Sequence, residues 1–178
     1  VKEGINFNPG DVNYDLFRLA LRVSAKRLFP NFSFLDASFN QVYYQAGKVE
    51  TEVTYMGCRT RVLGNRCGEA QVNGRGNLSF TTINLVRLGI EHKGDWTSFD
   101  EMLDLRLNQV LDQLLTRKAY QAKKQVKNFP FLMGQGIWRS SDGLKREDYI
   151  ESVLNEGTLS IGFIGLAECL VAMLGQHH

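Results

Sequence analysis

Cysteine, histidine and proline each occur only three times in these 178 residues. The cysteines, at positions 58, 67 and 169, leave one unpaired in any disulfide scheme. None stands in a Cys-x-x-Cys spacing, so neither a disulfide framework nor a zinc site is indicated. A reducing cytoplasm is the expected setting. The histidines (His92, His177 and His178) give a cysteine nucleophile no well-placed base: His92 lies in a charged stretch and the other two at the very end. No apolar run approaches the ~18 residues of a membrane span. The first residues, Val1-Lys2-Glu3-Gly4-Ile5-Asn6, lack the apolar core of a signal peptide. The net charge of +2 argues against a nucleic-acid-binding arm, while leaving small phosphorylated ligands open. Repeats and low-complexity linkers are absent as well.

What remains is the composition of a folded domain: 43% hydrophobic and 22% charged residues, in a chain long enough for a proper core. Val12 to Phe29 reads as an amphipathic helix with Leu16, Leu19, Ala20, Val23 and Arg27 at helical spacing, stopped by Pro30. Phe32 to Asp36 alternates as a half-buried strand, and Glu52 to Met56 is a second short strand. Gly57 to Gly76 carries five glycines and little periodicity, which marks a long connection of the kind that is usually functional in compact domains. Leu78 to Ile90, rich in aliphatic and β-branched residues, reads as a third strand. Ser98 with Glu101 forms a capping-box signature. The helix it opens carries Phe99, Leu103, Leu107, Val110 and Leu114, a stripe widened by Met102, Leu111 and Leu115. Asn128-Phe129-Pro130-Phe131 breaks it. A shorter helix over Leu144 to Leu154 and a buried strand over Thr158 to Phe163 follow, and Gly165 turns that strand into a last helix. Strand alternating with helix indicates an α/β sheet.

Cys58 is the residue with most chemical interest. It stands in Tyr55-Met56-Gly57-Cys58-Arg59-Thr60-Arg61, between a strand and a glycine-marked loop. Flanking arginines favour a thiolate. Equally, a lone cysteine at a strand end is a small buried hydrophobe, and the local sequence favours that reading. Gly74-Arg75-Gly76-Asn77 is either a phosphate cradle or a glycine-permitted turn; it lacks the lysine and spacing of a P-loop. Gly162-Phe163-Ile164-Gly165 before a helix suits an anion, but its apolar neighbours point to close helix–strand packing. Glu168 is open between burial and exposure, Cys169 reads as core, and the lysines from 123 to 127 read as a solvated helix end.

Five strings resemble one family. They are Pro30-Asn31-Phe32-Ser33-Phe34-Leu35-Asp36, Met56-Gly57-Cys58-Arg59-Thr60-Arg61, the run from Gly74 through Asn77 to Leu85, the run from Asn128 to Gly136, and Gly157-Thr158-Leu159-Ser160-Ile161-Gly162-Phe163-Ile164-Gly165-Leu166-Ala167-Glu168. In this order they resemble the middle of the catalytic subunit of the anaerobic (class III) ribonucleoside-triphosphate reductases. The resemblance implies part of a ten-stranded α/β barrel of the glycyl-radical enzyme type, with a finger loop through its centre. Residues 1–178 are then a single segment of that catalytic barrel domain, and the finger loop spans about 56–77. Cys58, at the finger tip, becomes the transient thiyl radical that removes the ribose 3′ hydrogen. Asn77 lies beside the ribose where aerobic relatives use a glutamate, with Asn84 as a weaker candidate, and Met56 lines the substrate pocket. Arg59 and Arg61 become anchors of the finger. A radical belongs in a water-excluding site and must be held close to one C–H bond, both of which an anchored finger provides.

The resemblance also implies what this segment does not carry. The family stores its radical on a C-terminal glycine near a four-cysteine zinc site, made by a separate radical-SAM activase with an iron–sulfur cluster. Formate or a thiol system supplies the electrons. The expectation is therefore a segment inactive alone, with no cofactor or metal of its own, from a homodimeric parent acting on ribonucleoside triphosphates without direct nucleic-acid or membrane contact. Val86 departs from the proline common after Asn-Leu in the family, and Cys67 falls in a variable loop. Two alternatives stand beside this reading: another glycyl-radical enzyme of the formate-lyase kind, and a non-catalytic nucleotide-binding or interaction module.

Overall fold

A computed structural model describes residues 1–57 and 60–176. The chain divides into two compact units, Val1–Asn73 and Gly74–His178.

The first unit contains helix α1 (Tyr14–Arg27) and an antiparallel hairpin, β1 (Thr54–Met56) with β2 (Thr60–Val62). The expected helix is present and ends at Leu28, whose φ of 58° closes it with a hydrogen bond to the Ser24 carbonyl. The face it uses differs from the expected stripe. Leu16, Leu19 and Val23 are exposed. The half-buried residues are Tyr14, Phe17, Ala20 and Ser24. Phe17 decides the matter: its ring meets Phe7 and Phe32 at centroid distances of 6.3 and 5.7 Å, while Ser24 donates to the Pro30 carbonyl at 3.0 Å. Phe32 to Asp36 is not a strand. Two of its carbonyls accept from side chains, with Asn40 donating to Phe34 and Gln41 to Leu35, and that of Ser33 accepts from the N-terminal amine. The stretch expected to be structureless from Gly57 also holds β2, whose Val62 is buried with Val53 and Val72.

The second unit is built on a parallel pair, β3 (Asn77–Asn84) and β4 (Thr158–Ile164). Helices α2 (Leu85–Glu91), α3 (Trp96–Ala122) and α4 (Leu166–Leu174) accompany it. The expected strand over Leu78 to Ile90 therefore breaks at Asn84, whose side chain accepts from the Arg87 amide and starts α2. Likewise Asp95, not Ser98, caps α3: its carboxylate accepts from the Ser98 amide. Along α3 the stripe Phe99, Met102, Leu103, Leu107 and Val110 packs on Ile83, Leu85, Leu88, Cys169 and Met173. Leu111 and Leu115 point outward. Leu144 to Leu154 forms turns and a 3₁₀ segment from Glu151, not an α-helix. The chain spans a short distance there while burying Ile150, Val153 and Leu154 around Trp138.

One face of β3 is stitched to α3. Thr81 donates to Gln113, Arg117 reaches Ser79, the Phe80 carbonyl and Thr81, and Gln121 donates to the Leu78 carbonyl. The spacing of four between 113, 117 and 121 places all three on one helical row. The start of the parallel pair is fixed by Trp138. Its buried indole donates to the Val153 carbonyl at 2.9 Å. A Cβ on Gly76 would lie 2.8 Å from the indole. One on Gly157 would lie 2.6 Å from Leu78 and 3.0 Å from the indole. These two glycines are set by contact with the ring and not by an unusual backbone. Gly157→Ala is accordingly expected to cost about 1–3 kcal/mol. Urea unfolding followed by tryptophan fluorescence reads this, and an unchanged midpoint would contradict the close contact.

Candidate functional site

Residues from both units carry candidate chemistry. In the first, β1 and β2 pair from Thr54–Val62 through Tyr55–Arg61 to Met56–Thr60. Met56 is half-buried at the end of β1, and Gly57 follows with a φ of +60°. Cys58 and Arg59, central to the sequence reading, lie outside the described residues. Arg61 behaves as an anchor: its guanidinium sits 5.3 Å from the Phe39 ring centroid and donates to Asn40 Oδ1 at 3.3 Å. Asn40 is itself buried and donates to the Phe34 carbonyl, so the hairpin is tied to the loop before it. A cavity of about 600 Å³ opens beside Gly57, walled by Phe29, Phe32, Ser33 and Tyr55. Ser33 Oγ is buried there with no hydrogen-bond partner among the described residues.

In the second unit Asn77 opens β3 beside Thr158, the first residue of β4. The ladder then slips: Ser79 pairs with Leu159, so β3 spends two residues where β4 spends one. Such a bulge re-aims the side chain before it. Regular alternation places Asn77 on the face of Ser79 and Thr81, which α3 covers. The bulge moves it to the opposite face, the one that carries Phe80 and Ser160. There Asn77 Oδ1 accepts from Thr158 Oγ1 at 2.5 Å, and Ser160 Oγ lies 3.5 Å from the same oxygen. Sequence reasoning singled out Asn77 but missed both hydroxyls. The available signal was their spacing, since two residues apart on a strand means one face.

The remaining candidates have structural roles. Gly74-Arg75-Gly76 is the connection into β3: the Gly74 carbonyl accepts from the Arg139 amide at 2.7 Å, and Arg75 donates to the Glu156 carbonyl at 2.9 Å. Gly165 serves close packing, with a φ of +75° and a Cβ position only 2.0 Å from Val86. Glu168 is exposed. Asn84 is the α2 cap. His92 shares a hydrogen bond with Ser98 at 2.8 Å across the α2–α3 corner. Lys127 pairs with Glu147 on the surface, and Lys124 lies over Tyr120. A second cleft, of about 370 Å³, lies between α2 and α3, where Arg87 pairs with Glu91 at 2.7 Å. Arg87, more than Arg106, holds the Glu91 carboxyl below its usual range. Among the described residues no three of His, Cys, Asp and Glu converge as metal ligands. No helix of the described residues is long and apolar enough to cross a membrane.

With the geometry in place, comparison with known proteins decides the family. The sequence model of the anaerobic ribonucleoside-triphosphate reductases matches residues 1–178. The chain belongs to this family. It is similar to the anaerobic ribonucleoside-triphosphate reductase of Salmonella typhimurium, with 34% identity over 182 residues, covering 100% of this chain and 24% of the relative. The Escherichia coli protein of the same name is 32% identical over the same shares. That of Enterobacteria phage T4 is 28% identical over 94% of this chain and 28% of its own length. The chain thus spans about a quarter of the length of the bacterial relatives it matches.

The two described cysteines differ sharply. Cys67 is exposed, whereas Cys169 is buried against Gly89 in the α2–α4 core. Burial pushes the Cys169 thiol up, with a backbone hydrogen bond from Gly89 opposing it. Iodoacetamide at pH 8 is therefore expected to modify Cys67 readily and Cys169 about a hundredfold more slowly, until the protein unfolds. Peptide mass spectrometry checks this; equal rates at both would contradict the buried assignment.

Proposed function

We propose that residues 1–178 form part of the catalytic barrel of a reductase that converts ribonucleoside triphosphates to 2′-deoxyribonucleoside triphosphates by radical chemistry. Both units belong to one ten-stranded α/β barrel in this reading. The observation that carries it is the match of the family over the whole chain. Two features of the fold support it. A hairpin anchored by Arg61 leads to Cys58, and a bulge turns Asn77 away from the helix-covered face of its strand.

In the proposed mechanism Cys58 is the radical carrier. Its thiyl sulfur takes the 3′ hydrogen of the ribose: an S–H bond forms, the C3′–H bond breaks, and the unpaired electron moves to C3′. Loss of the 2′ hydroxyl as water then needs two electrons and protons, supplied by formate or a thiol system. The unpaired electron originates on a glycyl radical of the parent protein, generated by a radical-SAM iron–sulfur activase. Asn77 faces the ribose. A carboxamide does not titrate near neutral pH, so it serves by hydrogen bonding and not as a base. Met56 lines the pocket, and Arg59 joins Arg61 in holding the finger. The parent acts as a cytoplasmic homodimer, and this segment is inactive without the remainder.

Cys58→Ser in the full-length protein is expected to abolish deoxynucleotide formation, because a serine O–H bond is too strong for the transfer. Substrate binding is expected to stay within about twofold, since the thiol acts in the transition state and contributes little to ground-state affinity. Anaerobic product analysis with the activase decides it; deoxynucleotide formation by the variant would refute the assignment. Deoxynucleotide as the wild-type product also separates the reductase from a formate-lyase-like enzyme and from a non-catalytic module.

A further inference from the structure

We propose that α1 is a pairing surface for a second copy of this chain, the two helices lying antiparallel about a two-fold axis. The inference deepens the homodimer reading above by naming a surface for it, and it is independent of the radical chemistry. Its basis is that α1 carries two apolar faces and the first unit uses only one. Phe17, Ala20 and Ser24 are half-buried on the unit, yet no residue of the helix is fully buried. Leu16, Leu19 and Val23 recur at spacings of three and four on another side and are 64, 54 and 42% exposed. Val12, just before the cap, is 90% exposed. A 14-residue helix is marginal in water without packing, and an apolar stripe left in solvent marks an interaction surface.

The charges beside the stripe identify the partner. Asp15 and Arg22 stand seven residues apart, so both flank the stripe on the same side. Arg18 is held over the Tyr14 ring of its own helix, 6.0 Å from the centroid. An acid and a base at this spacing are complementary to themselves when the helix is reversed. With the axis between Phe17 and Arg18, Leu16 of one copy meets Leu19 of the other and Val23 meets Val12. Asp15 then lies opposite Arg22, twice by symmetry. A parallel pair would set Arg22 against Arg27 instead, and an antiparallel pair slid by one heptad would set Arg22 against itself. Like charges oppose both. Cover by another part of a longer chain does not call for this reversed complementarity, whereas a second copy does.

The test uses the full-length protein and reads its monomer–dimer equilibrium by sedimentation velocity at low salt, where exposed charges are least screened. Asp15→Arg and Arg22→Asp are each expected to weaken self-association about tenfold, because both symmetric ion pairs become like-charge contacts. The double variant restores association to the wild-type level. An equimolar mixture of the two single variants, one of them fluorescently labelled, associates as a heterodimer, since one copy then carries both bases and its mate both acids. A folding defect in either variant would not be repaired by mixing. Single variants that associate like wild type would overturn the inference and leave the stripe to another part of the parent chain. A mixture that associates no better than its components would also overturn it. A wild-type protein that stays monomeric at every concentration would instead overturn the homodimer reading itself.

Discussion

The contact of the Trp138 indole with Gly76 and Gly157 governs the second unit. A ring that leaves no room for a Cβ on Gly76 and, together with Leu78, crowds one on Gly157 brings the starts of β3 and β4 together. From that meeting point the two strands run parallel, and the slip of one residue at Asn77 follows immediately. Leu78, the extra residue, turns into the Trp138 cluster, where it is packed with Val126, Val153 and Leu154. Asn77 and Ser79 then face opposite ways although they are two residues apart. A buried aromatic residue thus decides which face of the strand carries the Asn77 side chain.

The other face of β3 shows why that choice matters. Gln113, Arg117 and Gln121 of α3 occupy it with hydrogen bonds to both side chains and carbonyls. A polar residue there would be absorbed into the strand–helix junction. On the opposite face Asn77 meets the hydroxyls of Thr158 and Ser160, and Phe80 beside it is largely exposed. In the proposed barrel this is the face toward substrate. The first unit, taken by itself, holds an arginine-anchored hairpin with an aromatic-walled cavity beside Gly57.

Much of the helical architecture was legible in the sequence. The stripe on α3, the stop of α1 near Pro30 and the β4-to-α4 transition at Gly165 all follow from spacing and punctuation. The failures have specific causes. Tertiary contact of Phe17 overrode the aliphatic stripe of α1. Asp95 outcompeted Ser98 as a cap because its carboxylate reaches the Ser98 amide. Aliphatic residues on both sides of Asn84 concealed a strand-to-helix change that depends on one side-chain cap. At the candidate site, composition and spacing left Cys58 more plausible as a packed thiol. Only the resemblance of the surrounding strings pointed to chemistry. The facing of Asn77 was not legible at all, because a bulge reverses the alternation on which such a reading depends.

The central claim is that Cys58 and Asn77 converge on one ribose. The most direct measurement is a crystal structure of the full-length protein with a ribonucleoside triphosphate bound. The account predicts the Cys58 sulfur about 3.5 Å from the ribose C3′, the distance of a reactive approach. It also predicts the Asn77 side chain facing that ribose. A ribose bound away from both residues, or Asn77 turned to the α3 side of its strand, would contradict it.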